Sequence, residues 1–224
     1  MRGALITFEG VEGSGKSTQA EMLFQMLRTR SVDCVLTREP GGTVIGERIR
    51  EILLDPAGKE MHGKTELLLY LASRNQHVQE KLLPALRAGK VVISDRYSES
   101  SFAYQGRGRD LTLQKVSRLN KYATGGLVPD ITIVVDVPPE VGRERMKGNT
   151  LDRLESERME FHCRVRDAYL ELARRAPKRI KVLDGRRIQA ELHREIANLV
   201  LPRLVQKWLV KSVEREMTSH RNGR

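Results

Sequence analysis

Residues 8–19 read FEGVEGSGKSTQ, and no other segment restricts the possible folds of this chain as strongly. Residues 10–17 satisfy the pattern GxxxxGK[ST] at every required position, after the apolar run 5–8 and before a stretch with helical apolar spacing. The glycines let the backbone curl until successive N–H groups face phosphate oxygens, and the helix that follows adds its positive N-terminal end. The segment therefore predicts a strand, a phosphate-binding loop and a helix in a protein that binds a nucleoside triphosphate.

The predicted loop suggests a role for several of its own side chains. Lys16 should reach the β- and γ-phosphates of the triphosphate, and the Ser17 hydroxyl should be a ligand of Mg²⁺. Glu12 is unexpected, because it places a negative charge in a loop that holds an anion. The residues predicted to bind the triphosphate are Gly10, Val11, Glu12, Gly13, Ser14, Gly15, Lys16, Ser17 and Thr18.

Short β-branched runs alternate with amphipathic stretches along most of the chain. Strands that are apolar throughout indicate burial on both faces, and the helical stretches between them indicate parallel crossovers. We therefore predict an α/β fold: a single-domain P-loop NTPase fold with an about five-stranded parallel sheet flanked by helices. Strands are predicted at 5–8, 32–37, 90–95, 131–136 and 179–184, and helices at 17–28, 46–54 and 65–87.

The domain is predicted to span residues 1–208, with a short lid at about 147–154. The lid prediction rests on the polar, glycine-containing stretch KGNTLDRL between two helical segments, which is typical of a loop that closes over a site. The basic segment 209–224 is expected to form a tail that frays.

The charge balance narrows the choice of partners without deciding it. Lys and Arg number 40 against 29 Asp and Glu, which gives a net charge of +11. Such a charge attracts nucleic acid or small phosphorylated molecules, although a soluble basic protein without either partner would have the same composition. The two cysteines, Cys34 and Cys163, are far apart and have no metal-ligand spacing, which favours a reducing compartment. No segment approaches the ~20 apolar residues of a membrane span, so a cytoplasmic protein without membrane contact is expected.

Three classes of phosphate-loop protein compete at this point. A switch GTPase needs the guanine motif NKxD, but NKYA at 120–123 has Ala where the base-reading Asp should stand. A nucleic-acid-dependent ATPase fits the positive charge, although no nucleic-acid-binding module is recognisable, and it stays as an alternative. A small-molecule kinase is favoured, because Arg38 and Arg96 each follow a predicted strand, where open parallel sheets bind their ligands.

Several further segments match one family in its own order, from residue 4 to about 185. They are TREPGGT at 37–43, the helix with Tyr70 and Arg74, DRY at 95–97, AYQG at 103–106, DVPPEVG at 136–142 and LDRLE at 151–155. With the loop, this set closely resembles the thymidylate kinase family, the bacterial type with its catalytic arginine in the lid. The resemblance implies a homodimeric enzyme that uses ATP and Mg²⁺ to phosphorylate dTMP to dTDP, with nucleic acid not expected as a partner. A UMP- or AMP-type nucleotide kinase, which shares the sheet and the loop, is the alternative within kinases.

The resemblance also implies roles for particular side chains around dTMP. Arg38 and Arg96 hold its phosphate, and a guanidinium fork suits that dianion. Tyr70 and Arg74 lie four residues apart on one helix face, so that Tyr70 stacks on the base and Arg74 hydrogen-bonds to it, although Tyr70 could also be a core residue. Ser101, Tyr104 and Gln105 line the nucleoside pocket, with Tyr104 against the sugar edge that carries the 2′-hydroxyl in a ribonucleotide.

The catalytic set implied by the resemblance is Lys16, Arg153, Arg96 and Asp95. Asp95 and Asp136 both end apolar strands, where a carboxylate serves Mg²⁺; the residue pattern does not choose, and the resemblance favours Asp95 with Ser17. Arg153 enters with the lid as an arginine finger, since the loop itself contains no arginine after Glu12. By the same resemblance, Glu12 faces the acceptor and accepts a hydrogen bond from its 3′-hydroxyl, and the Glu39–Pro40 peptide bond is cis.

Overall fold

Five parallel strands form the central sheet of this protein. The computed structural model describes residues 3–148 and 150–221, with side chains described as far as residue 205. Within them the strand order is β2-β3-β1-β4-β5, and every neighbouring pair is parallel. The strands are β1 Ala4–Glu9, β2 Cys34–Arg38, β3 Val91–Asp95, β4 Ile131–Asp136 and β5 Ile180–Asp184. The predicted fold class and all five predicted strands are confirmed.

Helices connect the strands and cover the sheet. They are α1 Lys16–Thr29, α2 Val44–Leu54, α3 Gly63–His77, α4 Leu83–Arg87, α5 Ser98–Ser101, α6 Leu113–Thr124, α7 Pro139–Arg145, α8 Met159–Arg175 and α9 Gln189–Arg221. Two π-helical stretches, Val78–Leu82 and Phe102–Gly108, lead out of α3 and α5. The single helix predicted over 65–87 is therefore divided. Pro84, which has no N–H to donate, is the second residue after the first π-helical stretch.

The core lies on both faces of the sheet, as the apolar strands predict. On one face, Ile6 and Ile133 pack with Leu23 of α1 and Ile196 of α9. On the other face, Leu5 and Val92 pack with residues of the segment 78–86. Burial on both sides requires polar side chains inside the central strands to be hydrogen-bonded, as Thr7 and Thr132 are to each other, and favours the strand ends for charged groups.

The parallel register brings the carboxyl ends of three strands together. Phe8 of β1 and Arg38 of β2 both lie opposite Asp95 of β3. The phosphate loop follows β1 and Arg96 follows β3, so both emerge at this edge of the sheet. In the order β2-β3-β1-β4-β5, these two neighbouring strands lie at the switch point of the topology, where open parallel sheets bind their ligands.

Two parts of the predicted domain organisation, the lid at 147–154 and the tail at 209–224, are described only in part. A turn at residues 146–148 leads into the predicted lid, and Asn149 lies outside the described residues. Helix α9 continues to Arg221, while residues 222–224 lie outside the described part, so the fraying of 209–224 stays a prediction. Among the described helices, none is both long and apolar enough to span a bilayer.

Candidate active site

A cleft of 420 Å³ opens at the carboxyl edge of the sheet. Its walls come from the loop, the ends of β2 and β3, helices α2 and α3, the second π-helical stretch and the lid. Most of the predicted site side chains line it: Glu12, Lys16, Ser17, Arg38, Tyr70, Asp95, Arg96, Tyr104 and Gln105. Outside the loop, three predicted residues do not line it: Arg74, Ser101 and Arg153. Within the loop, Gly10, Val11, Ser14, Gly15 and Thr18 do not line it either.

The loop has the backbone shape that phosphate binding requires. Gly13 and Gly15 adopt positive φ angles of 67° and 94°, which only glycine adopts without strain, and α1 begins at Lys16 directly afterwards. The Lys16 ammonium is largely buried and donates to the carbonyl of Val11 at 3.4 Å. Burial, and then Arg96, lower the pKa of Lys16. An anion in the cleft would therefore stabilise its charged form.

The neighbourhood of Asp95 fits a magnesium ion. Ser17 Oγ donates to Asp95 Oδ2, while the buried Oδ1 has no hydrogen-bond partner among the described atoms. A hydroxyl, a carboxylate with a free oxygen and incoming phosphate oxygens are the ligand set that Mg²⁺ takes in phosphoryl-transfer sites. Asp136, the other strand-end aspartate, is held instead by Arg166 through two hydrogen bonds of 2.7 and 2.8 Å.

Arg96 is the most highly connected cation of the cleft. Its backbone is left-handed, with φ 73°, and its side chain runs back across the end of β1. The guanidinium donates to Glu12 Oε1 at 2.8 Å, Tyr104 OH at 3.1 Å, Tyr169 OH and the Gly10 carbonyl at 3.2 Å, and Ser100 Oγ at 3.3 Å. It also lies over the Tyr104 ring, 4.9 Å from the centroid.

Glu12 is turned toward Arg96 and away from the loop backbone. Its Oε1 also accepts from Tyr104 OH at 2.6 Å, and its Oε2 lies 3.6 Å from His162 Nδ1 without a hydrogen bond. Burial alone would raise the pKa of Glu12, but Arg96, with His162, Lys16 and Tyr104, outweighs it and holds the pKa well below the usual range. The carboxylate is therefore ionised and sits on the side of the loop where the acceptor was expected.

Two further arginines stand at the same end of the cleft. Arg38 is half-exposed and forms an ion pair with Glu47 at 3.0 Å. Arg50 of α2 donates to the Pro40 carbonyl at 3.0 Å, next to a cis Glu39–Pro40 bond, and burial and Arg38 lower its pKa. Sequence reasoning missed Arg50, because GERIRE offers two arginines and only the packed helix shows which one faces the cleft.

Arg74 lies behind the wall that Tyr70 forms. It is 1% exposed, although it is one helical turn from Tyr70, which lines the cleft. Its guanidinium donates at 2.5–2.8 Å to side-chain oxygens of Glu39, Ser101 and Asn120 and to the Tyr97 carbonyl. Arg74 and Ser101 are thus hydrogen-bonded to each other and do not face the cleft. Ser100 lines the cleft where Ser101 was expected. Their predicted contacts with a nucleoside require these bonds to rearrange.

Arg153 occupies a buried position outside the cleft. It is 4% exposed, with Nε donating to the Leu53 carbonyl at 2.8 Å and Nη1 to Glu66 Oε2 at 2.7 Å. Glu66 also accepts from Gln105 at 2.9 Å and from Arg109 at 3.0 Å. Asp152 and Leu154, the neighbours of Arg153 in the predicted lid, do line the cleft. The predicted lid therefore borders the cleft, whereas the side chain of Arg153 does not line it.

The loop also fits closely against α7. A Cβ added at Gly13 would lie 2.2 Å from the Gly142 carbonyl oxygen, and one added at Gly142 would lie 2.2 Å from the Glu12 carbonyl oxygen. Arg145 of α7 donates to the carbonyls of Gly13 and Gly185 at 3.2 and 3.0 Å. The helix that leads to the lid is thereby attached directly to the loop.

Comparison with known proteins agrees with this geometry. A model of the thymidylate kinase family matches residues 8–196. The thymidylate kinase of Carboxydothermus hydrogenoformans is 50% identical over 197 residues, which are 88% of this chain and 96% of that one. That of Halothermothrix orenii is 50% identical over 204 residues, covering 89% and 97%. A crystal structure of thymidylate kinase from Ehrlichia chaffeensis superposes with a TM-score of 0.73 at 32% identity, covering 90% of this chain and 99% of that chain.

The pKa of Glu12 predicts how acid affects stability. Because the native pKa is lowered, the ionised carboxylate stabilises the fold above the ordinary Glu pKa of about 4.3, and this contribution is lost as the pH falls toward the native value. Urea unfolding between about pH 5 and about pH 3 should therefore show a steeper loss of unfolding free energy for the wild type than for Glu12→Gln. Parallel losses in the two proteins would contradict the assignment.

Proposed function

Because this chain belongs to the thymidylate kinase family, we propose that its cleft transfers the γ-phosphoryl group of ATP to dTMP and releases ADP and dTDP. The observation that carries the proposal is that two groups of cations line one cleft. The first group is Lys16 of the phosphate loop, and the second group is Arg38, Arg50 and Arg96, which come from the end of β2, from α2 and from the end of β3. Two phosphorylated ligands can be held between them, whereas an ATPase that hydrolyses its nucleotide needs only the first group.

The donor side is supplied by the loop. Its backbone N–H groups and Lys16 would hold the β- and γ-phosphates and spread the charge that develops during transfer. Ser17 and Asp95 would hold Mg²⁺, which would neutralise part of the charge on the phosphates when bound. Catalysis on this side consists of positioning and electrostatic stabilisation, since phosphoryl transfer asks for little covalent chemistry from the protein.

The acceptor side is supplied by the strand ends, α2 and α3. The three arginines would bind the dTMP phosphate, Tyr70 would stack on the thymine ring, and Tyr104 would lie against the deoxyribose. In that arrangement Glu12 accepts a hydrogen bond from the 3′-hydroxyl. The residues are suitable because Tyr70 and Tyr104 are packed and largely buried, which fixes the ring planes before the ligand arrives.

We also propose that the enzyme is a homodimer of the cytoplasm. Its neighbouring helices α2, α3 and α6 expose large apolar side chains, a pattern that marks interaction surfaces. These side chains are Ile45, Ile52, Leu68, Leu119 and Tyr122, and Tyr122 is 86% exposed. The free thiols Cys34 and Cys163 are suited to a reducing compartment.

The substrate is tested by ADP release in a coupled assay. With ATP and Mg²⁺, dTMP should give ADP release well above that with UMP or AMP, because Tyr104 would lie against the sugar edge that carries the 2′-hydroxyl in a ribonucleotide. dUMP measures how much the thymine methyl contributes, and DNA alone serves as the control for an ATPase driven by nucleic acid. ADP release that follows UMP, AMP or DNA and not dTMP would overturn the assignment.

The lid arginine is tested by comparing two arginines that share Glu66. Arg153→Ala should lower kcat by about 10³-fold with little change in the KM for dTMP, as expected for an arginine finger that leaves Glu66 during turnover. Arg109→Ala is the matched control, since it removes a different partner of the same carboxylate. Equal effects of the two substitutions would assign Arg153 to the scaffold.

The dimer is tested by sedimentation equilibrium. Leu68→Glu places a charge on the exposed apolar face of α3 and should shift the protein toward monomer. Ile188→Glu, at an exposed apolar residue outside these three helices, should leave the association unchanged. A wild-type protein that is monomeric at micromolar concentration would contradict the proposal.

A further inference from the structure

Behind Arg96 lies a second carboxylate that the mechanism has not used. Glu9 is the last residue of β1 and is fully buried. Its Oε1 accepts the backbone N–H of Tyr97 at 2.8 Å. Its Oε2 accepts two hydroxyls, Ser100 Oγ at 2.6 Å and Tyr169 OH at 2.8 Å. Glu9 makes no direct hydrogen bond to Arg96 in the described structure, yet both hydroxyls accept from the Arg96 guanidinium.

We propose that Glu9 is a positioning residue for Arg96, in which the ionised carboxylate orients the hydroxyls of Ser100 and Tyr169 so that their lone pairs receive the guanidinium. The proposal rests on the proposed function, because Arg96 there holds the acceptor phosphate. It adds a residue that touches neither nucleotide and acts only through the hydrogen-bond network.

The direction of the hydrogen bonds carries the argument. A carboxylate only accepts, so in these two contacts each hydroxyl points its single hydrogen at Glu9 Oε2 and keeps its oxygen lone pairs for Arg96. The two hydroxyl oxygens also lie 3.0 Å from each other. Protonation reverses part of this order. Since Oε1 already receives the Tyr97 N–H, the acidic proton has to sit on Oε2 and be donated to one of the hydroxyls. That hydroxyl then turns its hydrogen elsewhere, with the other hydroxyl 3.0 Å away as the available acceptor, and it spends on Glu9 a lone pair that was free for Arg96.

The surroundings of Glu9 place this change near neutral pH. Burial and then Glu99 raise the pKa of Glu9 to about 7, against the lowering effects of Arg96, Ser100 and Tyr169. The other charged groups that act on it are Lys16 of α1 and Arg74 of α3. Near neutral pH both protonation states are populated, so the orientation of Arg96 should weaken as the pH falls through about 7.

The substitution Glu9→Gln tests the proposal in the full-length enzyme. The amide is nearly isosteric, but with its oxygen toward the Tyr97 N–H it presents donors to both hydroxyls, as a permanent equivalent of the reversed network. The KM for dTMP at about pH 8 should rise about tenfold, the range of one or two hydrogen bonds, while the KM for ATP changes little. The variant should also lose the ionisation near pH 7 from the profile of kcat/KM for dTMP. The dTMP phosphate itself titrates near pH 6, but it does so equally with both enzymes, so only their difference is assigned to Glu9.

Glu99→Gln is the matched variant. Glu99 is also buried, but it pairs with Arg179 at 2.6 Å and does not line the cleft. Its removal takes away a negative neighbour of Glu9, so the ionisation should move to lower pH while the KM for dTMP at about pH 8 stays at the wild-type value. If Glu9→Gln does not fold, this shift alone decides the question.

The outcomes separate the two proposals. A wild type without dTMP-dependent ADP release would reject the substrate assignment. A wild type that phosphorylates dTMP, with a folded Glu9→Gln variant that keeps its KM and pH profile, would reject only the role of Glu9. An unshifted profile in Glu99→Gln would reject it as well.

Discussion

The ion pair between Arg96 and Glu12 joins the two halves of the cleft. Arg96 reaches it from the end of β3 through a left-handed backbone, and Glu12 reaches it from the loop that follows β1. The contact explains how a phosphate-binding loop tolerates a carboxylate. A buried guanidinium holds the negative charge beside Arg96 and away from the loop backbone. In the proposed function the donor and acceptor sites would therefore share one wall, in which the loop for one ligand carries the carboxylate that fixes a cation for the other.

The same guanidinium links the cleft to the core beneath it. Arg96 is connected through Ser100 and Tyr169 to Glu9, and through Tyr104 to Glu12. The two carboxylates stand in opposite electrostatic situations. Glu12 has its pKa lowered by the cations around it, whereas burial and Glu99 raise that of Glu9 to about 7. One carboxylate is therefore a permanent charge, and the other is a group whose charge depends on pH near neutrality.

Much of the fold and part of the site could be predicted from the sequence. The five strands and the loop follow from local patterns, because a buried parallel strand is apolar along its whole length and the loop has a fixed spacing. The strand-end residues Asp95 and Arg96 line the cleft as expected, because parallel strands place their carboxyl ends at the same edge of the sheet. Residues on helices and in the lid were harder, since the direction of a long side chain depends on what it meets after packing.

Arg74, Ser101 and Arg153 illustrate that limit. Spacing correctly places Arg74 on the same helix face as Tyr70, but it does not reveal Glu39 and Asn120, which draw the guanidinium inward. The stretch SESS contains several serines, and only the folded chain shows that Ser100 lines the cleft while Ser101 accepts from Arg74 behind it. Likewise, Glu66 is an ordinary helical glutamate in the sequence, and its three partners come together only in the folded chain.

The backbone contact between Gly13 and Gly142 constrains how this chain can diverge. Neither glycine can be replaced by a residue with a side chain in the present geometry, because a carbonyl oxygen of the other segment occupies the place of its Cβ. Gly13 also has a left-handed backbone. If Gly13 were replaced, α7 would have to move away, and the new residue would still be strained by its positive φ angle. The two positions therefore form one unit of variation, although 129 residues (142 − 13) separate them in the sequence. Amino-acid substitutions at Gly142 in α7 are therefore limited by its contact with the phosphate loop.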